Sequence, residues 1–312
     1  MVKKFLILMI SYTIIIPHRN SPLLLQRLLR SIPYREDIQI IVVDDNSDAN
    51  AITILESFKD SYVNVCFYFQ KENQGAGAAR NVGLKHALGK WLLFADADDF
   101  FNECFLDSVD RYLLSDNDIV YFSANSVYSD SLKPGFRDRE IIEMINQAIS
   151  TGNFDELRYK HHGPVSKMIN SSFVKRHGFT FDETMANNDA MFSVKTGFFA
   201  QKIQVDNSPI YCISCSSNSI SHKSTLNLTI DRLYVNQRIN HFLRNIEKDK
   251  YVINLIPYIL CVHDFSLKAI RARLNILSLK YYFIYMWSDL YKLMLLDFRK
   301  ISKRRNASKQ MN

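Results

Sequence analysis

Glycine and proline are scarce in this sequence, with nine and seven residues among 312. Together with 47% hydrophobic and 23% charged residues, this scarcity excludes collagen-like, low-complexity and disordered chains. We therefore expect a folded globular protein, long enough for one large domain or two with a substantial core.

Cysteines are few and irregularly spaced. There are five, and Cys212 and Cys215 form a lone C-x-x-C pair with no second Cys or His pair to complete a zinc site. We expect reduced structural thiols and hence a cytosolic chain.

The sequence also lacks an apolar run long enough to cross a bilayer. Two lysines precede the apolar segment FLILMISYTIII, a pattern that resembles a signal peptide. No small-x-small cleavage site follows this segment, however, and the next residue is Pro17. We predict a buried first strand here, with Met1 or Met9 as the start.

Positive charge is concentrated at the end of the chain. The formal net charge is +7, and residues 299–312 supply six of these charges without an acid, so the first 298 residues carry +1. A nucleic-acid binder needs basic residues across a folded face, so we expect no nucleic-acid partner.

Apolar runs alternate with helical patterns through the first hundred residues. Repeated strand–helix units with short connections predict an α/β fold, with a mostly parallel sheet and helices on both faces. The predicted strands are residues 12–16, 38–43, 63–69 and 91–95, and the predicted helices are residues 22–30, 51–58 and 77–88.

Two of these strands end in acidic clusters, residues 44–47 (DDNS) and 96–99 (DADD). Taken separately, the first is typical of an Asx-rich turn and the second of a solvated turn. Such sheets bind ligands outside the carboxyl ends of their strands. Crowded carboxylates persist where a cation or sugar hydroxyls meet them, so the two clusters together predict a ligand site at this edge.

Four segments resemble the family-2 glycosyltransferases, which are inverting nucleotide-sugar enzymes of the GT-A fold. The resemblance implies a GT-A domain over residues 9–222, with a nucleotide-binding half (9–100) and an acceptor half (101–222), followed by a helical region over 223–312. The segments are TIIIPHRN (13–20), IIVVDDNS (40–47), NQGAGAARNVGLKHALGKWLLFADADD (73–99) and FDETMANNDAMF (181–192).

The resemblance implies a donor site for a UDP-sugar. Pro17 and Arg19 occupy the positions where the family's first strand meets the nucleotide base. Asp45 matches the acid that hydrogen-bonds the uracil. Arg80 and Asn81, in the segment ARN-x-G, lie near the donor.

The resemblance also implies a metal site. Asp96-Ala97-Asp98 matches the family's D-x-D motif, in which Asp96 and Asp98 face the donor. Asp98 or Asp99 would ligate Mn²⁺ or Mg²⁺, and the other would face the ribose. The metal would neutralise the charge that develops on the β-phosphate as the nucleoside diphosphate departs.

Direct displacement at the anomeric carbon needs a base that takes the proton of the acceptor hydroxyl. Asp189 is the candidate, because it occupies the second position of the family's Glu-Asp pair. The first position holds Asn188, which hydrogen-bonds but cannot ionise. The alternative is that Asp189 is an acid in the first turn of a helix, favoured there by the helix dipole.

Three further positions have open interpretations. Lys167, in HHGPVSK, contacts the diphosphate or is a solvated surface residue. His161 and His162 are candidate metal ligands, although adjacent side chains point apart on regular elements. His222 occupies a region where some GT-A enzymes place a third metal ligand.

The carboxyl-terminal third has helical spacing from residue 225 to 247 and again from 251 to about 304. Aromatic residues and a basic end over residues 275–312 fit a helix lying at a membrane surface, or one packed against protein. With a membrane, the acceptor would be a polyprenyl-diphosphate-linked glycan at the cytoplasmic face of the inner membrane.

The leading hypothesis is a metal-dependent hexosyltransferase of O-antigen or capsular polysaccharide synthesis. One alternative is a nucleotide-sugar-binding protein without turnover, with Asn188 marking lost catalysis. The other is a nucleotidyltransferase, although the loop after the first strand, HRNSP, lacks the glycines those enzymes carry there.

Overall fold

The computed structural model describes residues 9–62, 64–215, 225–255 and 258. The chain forms two compact units, residues 1–223 and 224–312. The candidate ligand His222 and the aromatic and basic segment over residues 275–312 lie outside the described residues.

An eight-stranded sheet forms the centre of the first unit, in the order β3-β2-β1-β4-β7-β6-β8-β5. Neighbours are parallel from β3 to β4 and between β6 and β8, and antiparallel at the β4–β7, β7–β6 and β8–β5 pairs. The strands are β1 Tyr12–His18, β2 Ile38–Asp44, β3 Val65–Phe69, β4 Trp91–Phe94, β5 Phe100–Phe101, β6 Ile119–Tyr128, β7 Lys167–Asn170 and β8 Ile203–Cys215.

Eight helices connect these strands in the described part of the first unit. They are α1 Pro22–Ser31, α2 Ala49–Ser61, α3 Gly75–His86, α4 Phe105–Asp110, α5 Arg139–Thr151, α6 Asp155–Tyr159, α7 Ser171–His177 and α8 Ala190–Phe199.

Alternating residues of the central strands face different helices. Ile41 and Val43 of β2 pack with Ala79 of α3, whereas Ile40 and Val42 belong to the large core that also contains leucines of α1 and α2. Because successive side chains of a strand point to opposite faces, the sheet is covered on both sides. This confirms the predicted α/β architecture.

The structure also confirms the predicted order of strands and helices over the first hundred residues, with bounds that differ by a few residues. The first strand, Tyr12–His18, is buried along its whole length. Asp48 caps α2 by accepting a hydrogen bond from the backbone N–H of Ala51. The described cysteines, 66, 104, 212 and 215, are free thiols.

The second unit contains α9, Leu226–Asn245, which begins after Thr225. The Thr225 hydroxyl accepts a hydrogen bond from the N–H of Leu228, as expected for an N-cap. A short 3₁₀ turn, Asp249–Tyr251, follows. Within the described ranges, no helix is both long enough and apolar enough to cross a membrane.

Candidate functional site

The two acidic clusters lie at one edge of the sheet. Strands β1, β2 and β4 are parallel neighbours, so their carboxyl ends meet there. Pro17 is buried in β1 opposite Val43, and the next pair in register is His18 with Asp44. The predicted site residues on these three strand ends are therefore brought together.

Asp44, the first acid of its cluster, has a structural role. The Nε2 atom of His18 accepts the N–H of Ser21 (3.1 Å), so Nδ1 carries the proton and donates to Asp44 Oδ1 (2.8 Å). The backbone N–H and the hydroxyl of Ser47 also donate to this carboxylate. Burial alone would raise the pKa of Asp44, but these hydrogen bonds outweigh it and hold that pKa below its usual value.

Asp45 connects β2 to the start of α3. Its two carboxylate oxygens accept the backbone N–H groups of Gln74 and Gly75, each at 2.8 Å. With its amide oriented so that each atom meets a compatible partner, Asn73 donates to Asp45 (2.7 Å) and accepts from exposed Arg19 (2.9 Å). Arg19 and Asp45 therefore belong to one hydrogen-bonded group at this edge.

Arg80 of α3 joins the second acidic cluster to the segment that holds Asp189. Its side chain is buried, and Nη2 pairs with Asp96 Oδ1 at 2.6 Å, while Nη1 donates to Asn188 Oδ1 at 2.8 Å. The guanidinium also lies 5.4 Å from the centre of the Phe181 ring. One side chain thus fixes the loop after β4 relative to the loop before α8.

Asn188 is oriented into the protein. Its amide oxygen accepts from Arg80, and its amide nitrogen donates to the carbonyl of Thr184 (3.3 Å). The segment around it rests directly on α3, since a Cβ added at Gly77 would lie 1.9 Å from the carbonyl oxygen of Asp182. The amide at position 188 therefore supports the geometry of its neighbour Asp189.

Asn81 holds the same segment from the next position of α3. Its side chain exchanges two hydrogen bonds with the backbone of Phe181, at 2.8 and 3.0 Å. Its amide nitrogen also lies 3.2 Å from Glu183 Oε1. The structure thus engages the Asn81 amide in positioning residues 181–183, and its contact with a donor stays a prediction.

The D-x-D motif is held by β8, which is distant in sequence. The backbone N–H of Asp96 donates to the hydroxyl of Tyr211 (2.8 Å), and the N–H of Ser214 donates to Asp99 Oδ1 (2.7 Å). Burial and the charge of Asp96 raise the pKa of Asp98, and burial with both neighbouring acids raises that of Asp99 further. The three acids repel one another, and the repulsion acts on buried Asp99 and partly buried Asp98 next to half-exposed Asp96.

Two arginines complete this group, and sequence reasoning missed both. Arg27 of α1 donates to the Asp98 carbonyl (2.5 Å) and to the Ser214 hydroxyl (2.8 Å). Arg137 donates to the Ser214 carbonyl (3.1 Å), and both guanidinium groups partly offset the raised pKa of Asp98. The sequence gives no signal for either arginine, because each lies more than 70 positions from Ser214, the residue it contacts.

The chemistry of these acids fits a divalent cation. Hard cations such as Mg²⁺ and Mn²⁺ take carboxylate oxygens, and the mutual repulsion of Asp96, Asp98 and Asp99 is what a cation would relieve. Asp99 already accepts the Ser214 N–H and is 4% exposed, whereas Asp98 is partly exposed. Within the described ranges, however, no three metal-ligating side chains converge. Of the two candidate metal ligands, Asp98 is the better placed to bind a cation, because it is partly exposed whereas Asp99 is buried.

Asp189 precedes the first residue of α8, and its carboxylate makes no capping hydrogen bond with the helix. Burial raises its pKa, the charge of Asp96 adds to that effect, and Arg80 and Lys167 oppose it. A carboxylate with a raised pKa at the edge of a site is suited to accept a proton near neutral pH. The helical and the catalytic interpretations of this acid are compatible.

Lys167 is buried in β7, so the interpretation as a solvated surface residue is wrong. Its ammonium donates to the carbonyl of His161 (2.6 Å) and lies 5.5 Å from the centre of the Tyr121 ring. His161 is also buried, and the ring of His162 hydrogen-bonds the Tyr159 carbonyl (3.0 Å). Neither histidine belongs to a metal-ligating group of the described residues.

Comparisons with known proteins show what this chain is similar to. A family model described as "Glycosyl transferase family 2" matches residues 13–182. The minor teichoic acid biosynthesis protein GgaA of Bacillus subtilis is 31% identical over 193 residues, covering 58% of this chain and 42% of that protein. The poly(ribitol-phosphate) beta-glucosyltransferase of Bacillus spizizenii is 39% identical over 93 residues, covering 28% of this chain and 15% of that protein. The chain thus spans less than half the length of these curated relatives.

Solved structures share the fold. Staphylococcus aureus TarS 1–349 in complex with UDP-GlcNAc matches with a TM-score of 0.64 at 20% identity, covering 86% of this chain and 79% of that one. The mannosyltransferase PcManGT from Pyrobaculum calidifontis, in complex with GDP-Man and Mn²⁺, matches with a TM-score of 0.51 at 14% identity. The match covers 86% of this chain and 70% of that one. At these identities the likeness concerns the fold alone, and it confirms the expected GT-A architecture.

Proposed function

This chain belongs to glycosyl transferase family 2, and from that premise we propose that it is an inverting, metal-dependent hexosyltransferase that uses a UDP-sugar. The observation that carries the proposal is the double contact of Arg80, which holds Asp96 on one side and Asn188, the neighbour of Asp189, on the other. The proposed donor end and the proposed base would therefore belong to one hydrogen-bonded group near the carboxyl edge of the sheet.

The proposed chemistry is a single displacement. Asp189 accepts the proton of an acceptor hydroxyl, whose oxygen forms a bond to the anomeric carbon while the bond to the nucleoside diphosphate breaks. The leaving group keeps the electron pair, and the configuration of the sugar inverts because attack comes from the opposite side. The raised pKa of Asp189, caused mainly by burial, brings its basicity closer to that needed at neutral pH.

Asp98 would hold the divalent metal, Mn²⁺ or Mg²⁺. When bound, the metal supplies positive charge beside the departing diphosphate. Arg27 and Ser214 keep the Asp98 backbone and the neighbouring Asp99 in place through their hydrogen bonds. The Mn²⁺ in the PcManGT complex supports the metal by analogy of fold.

A uridine nucleotide is the donor that the comparisons favour, because two TarS structures with the same fold were solved with UDP-GlcNAc or with UDP. In this chain, Asp45 and Arg19 form a hydrogen-bonded group beside buried Pro17. We propose that this group receives the uracil. The transferred sugar would be a hexose or an N-acetylhexosamine.

The acceptor would be a hydroxyl of a cell-surface polymer. Relatives named for teichoic acid biosynthesis and for poly(ribitol-phosphate) glycosylation favour a wall polymer. A polyprenyl-diphosphate-linked glycan of O-antigen or capsule synthesis at the cytoplasmic face of the inner membrane is the second candidate. It rests on the basic, aromatic segment over residues 275–312, which suits a membrane surface.

Two other classes predict different outcomes. A nucleotide-sugar-binding protein without turnover would bind donor but release no UDP. The intact Asp189, whose carboxylate makes no capping hydrogen bond with α8, argues against it. A nucleotidyltransferase would release pyrophosphate from a nucleoside triphosphate. Its glycine-bearing loop after the first strand is replaced here by residues 18–22, HRNSP.

The experiment is a screen of UDP-, GDP- and dTDP-sugars for nucleotide release, with teichoic-acid polymer or lipid-linked glycan as acceptor. Each reaction is run with Mn²⁺ or Mg²⁺ and again after EDTA treatment. We expect acceptor-dependent release of UDP that EDTA abolishes and added metal restores. Release that persists after EDTA would contradict metal dependence, and donor binding without release under every condition would support the binding protein.

A further inference from the structure

The 128–137 loop, which leads from the end of β6 towards α5, presents large apolar side chains to solvent. Tyr128, Leu132 and Phe136 are 43%, 57% and 47% exposed, and Arg137, which follows them, is exposed as well. The rings of Tyr128 and Phe136 lie 6.4 Å apart, centre to centre. Exposed apolar side chains grouped on one loop are typical of a binding surface.

This loop starts at the carboxyl edge of the sheet, where the proposed site lies. Strand β7 is antiparallel to β4 and β6, and β8 is parallel to β6, so the carboxyl ends of β4, β6 and β8 meet at that edge. Tyr128, the last residue of β6, pairs with Cys215, the last residue of β8. The preceding residue, Ser214, donates its N–H to Asp99 at 2.7 Å. The loop is therefore continuous with the group around the D-x-D motif.

Arg137 makes few contacts for a cation beside this acidic group. Its Nη1 atom donates to the Ser214 carbonyl (3.1 Å), and the Ser214 hydroxyl accepts from Arg27 (2.8 Å). Within the described ranges, the Arg137 side chain makes no other hydrogen bond and belongs to no ion pair. The remaining N–H groups of an exposed guanidinium are therefore available to a ligand.

Hydrogen bonds and close packing hold the loop in shape. The carbonyl of Ser126 accepts the N–H of Gly135 (2.8 Å), and its hydroxyl accepts the N–H of Arg137 (3.1 Å). The same hydroxyl donates to Asp138 (2.7 Å). A Cβ added at Gly135 would lie 2.8 Å from the Cys215 sulfur, so this turn lies directly against the end of β8. A surface that is formed before binding loses little conformational freedom when a ligand arrives.

Aromatic rings next to an exposed guanidinium suit a ligand that has both C–H faces and negative charge. Aromatic rings pack against the C–H groups of sugars and polyols, and a guanidinium binds phosphate oxygens through paired N–H groups. Of the two acceptors proposed above, the wall polymer offers this combination in every unit, because phosphate groups recur along its chain. A polyprenyl-diphosphate-linked glycan carries its phosphates only at the lipid end.

We propose that the 128–137 loop binds the acceptor polymer, with Tyr128 and Phe136 against its hydroxylated units and Arg137 on a phosphate group between them. The inference deepens the proposed function and rests on it, since it assigns the acceptor of that reaction. A phosphate held by Arg137 would keep one unit of the chain next to the D-x-D group, where its hydroxyl can meet the donor sugar.

The test is the affinity for poly(ribitol phosphate), measured by calorimetry without donor, beside the affinity for UDP. Arg137→Gln should bind the polymer about tenfold more weakly, as expected for loss of about one charge-assisted hydrogen bond. Phe136→Ala should weaken polymer binding by about threefold or more. Arg137→Lys keeps the charge but not the fork, so it should bind between Arg137→Gln and the unaltered protein. The affinity for UDP should stay within about twofold in all three variants.

Two exposed residues away from this loop supply matched controls. Arg176→Gln removes the same charge beside Asp118, 3.9 Å away, which lies at the amino end of β6. Leu114→Ala removes an exposed apolar side chain, as Phe136→Ala does. Both controls should bind the polymer as the unaltered protein does. All variants change exposed side chains, and unchanged circular dichroism verifies that they fold.

Three results would overturn the inference. The first is an unaltered protein that does not bind the polymer, and the second is polymer binding in Arg137→Gln equal to that of Arg176→Gln. The third is weaker UDP binding with unchanged polymer binding, which would assign Arg137 to the diphosphate of the donor instead.

Binding without donor also separates this inference from the proposed function. If polymer binding weakens in Arg137→Gln as expected but no condition releases UDP from a UDP-sugar, the polymer surface stands and the proposed transfer fails. If the unaltered protein releases UDP with the polymer as acceptor while polymer binding in Arg137→Gln is unchanged, the transfer stands and the assignment of the loop fails.

Discussion

The buried guanidinium of Arg80 pairs with the half-exposed carboxylate of Asp96 at 2.6 Å. This ion pair joins α3 to the loop after β4, and the second hydrogen bond of Arg80 extends the connection to Asn188. Through Arg80, Asp96 is held next to Asn188, the neighbour of Asp189, although the two lie more than ninety residues apart in the chain. We therefore expect that removing the Arg80 side chain would separate the proposed donor end from the proposed base.

Arg80→Lys should therefore impair turnover strongly. A lysine has a single charged nitrogen and cannot reproduce the fork that reaches Asp96 and Asn188 together. We expect a loss of about tenfold to a thousandfold in kcat, the cost of about one to two charge-assisted hydrogen bonds. Lys85→Arg, the reciprocal change later in the same helix, is the control. UDP release at saturating donor measures the effect, and activity within a factor of two of the unaltered protein would contradict it.

Gly77→Ala should displace the segment that holds Asp189. The added Cβ would lie 1.9 Å from the carbonyl oxygen of Asp182 and 2.9 Å from the Cβ of Asn188, so the loop must move. The control is Gly163→Ala, whose Cβ would meet its nearest atom at 3.9 Å. We expect the first variant to lose most turnover and the second to keep it. Equal activities would show that the segment tolerates the shift.

Asp44→Asn should lower the free energy of unfolding, and the loss should be largest at neutral pH. The pKa of Asp44 is held below its usual value, so the ionised carboxylate contributes stability above the ordinary Asp pKa, about 3.9, and loses it as pH falls further. We expect a loss of about 1–3 kcal/mol at pH 7 that shrinks towards pH 3. Urea unfolding at both pH values measures it, with exposed Asp107→Asn as control. A loss that is the same at both pH values would contradict the account.

Much of the fold could be predicted because its signals are local. Apolar runs such as residues 38–43 and the alternation of strands and helices depend on short windows of sequence, and the structure has the same elements. The acidic clusters could also be placed at one edge, since parallel strands bring their carboxyl ends together.

The details of the site could not be predicted from the sequence, because they depend on contacts between residues that are far apart in the chain. Arg137 and Asp99 meet through Ser214, which β8 carries to the D-x-D motif only once the sheet has formed. Lys167 follows a surface-like HHGPVS segment, yet it is buried because it enters β7, a central strand between β4 and β6. Its environment follows from sheet order, which composition does not encode.

Asp189 is the group on which the proposed transfer depends most, because it accepts the proton of the acceptor hydroxyl. The decisive measurement compares UDP release and UDP binding in Asp189→Asn, with exposed Asp107→Asn as the matched control. We expect release to fall by at least about a hundredfold, as is typical when a general base is lost, while the affinity for UDP stays within about twofold. Release by Asp189→Asn at the rate of the control would contradict the account.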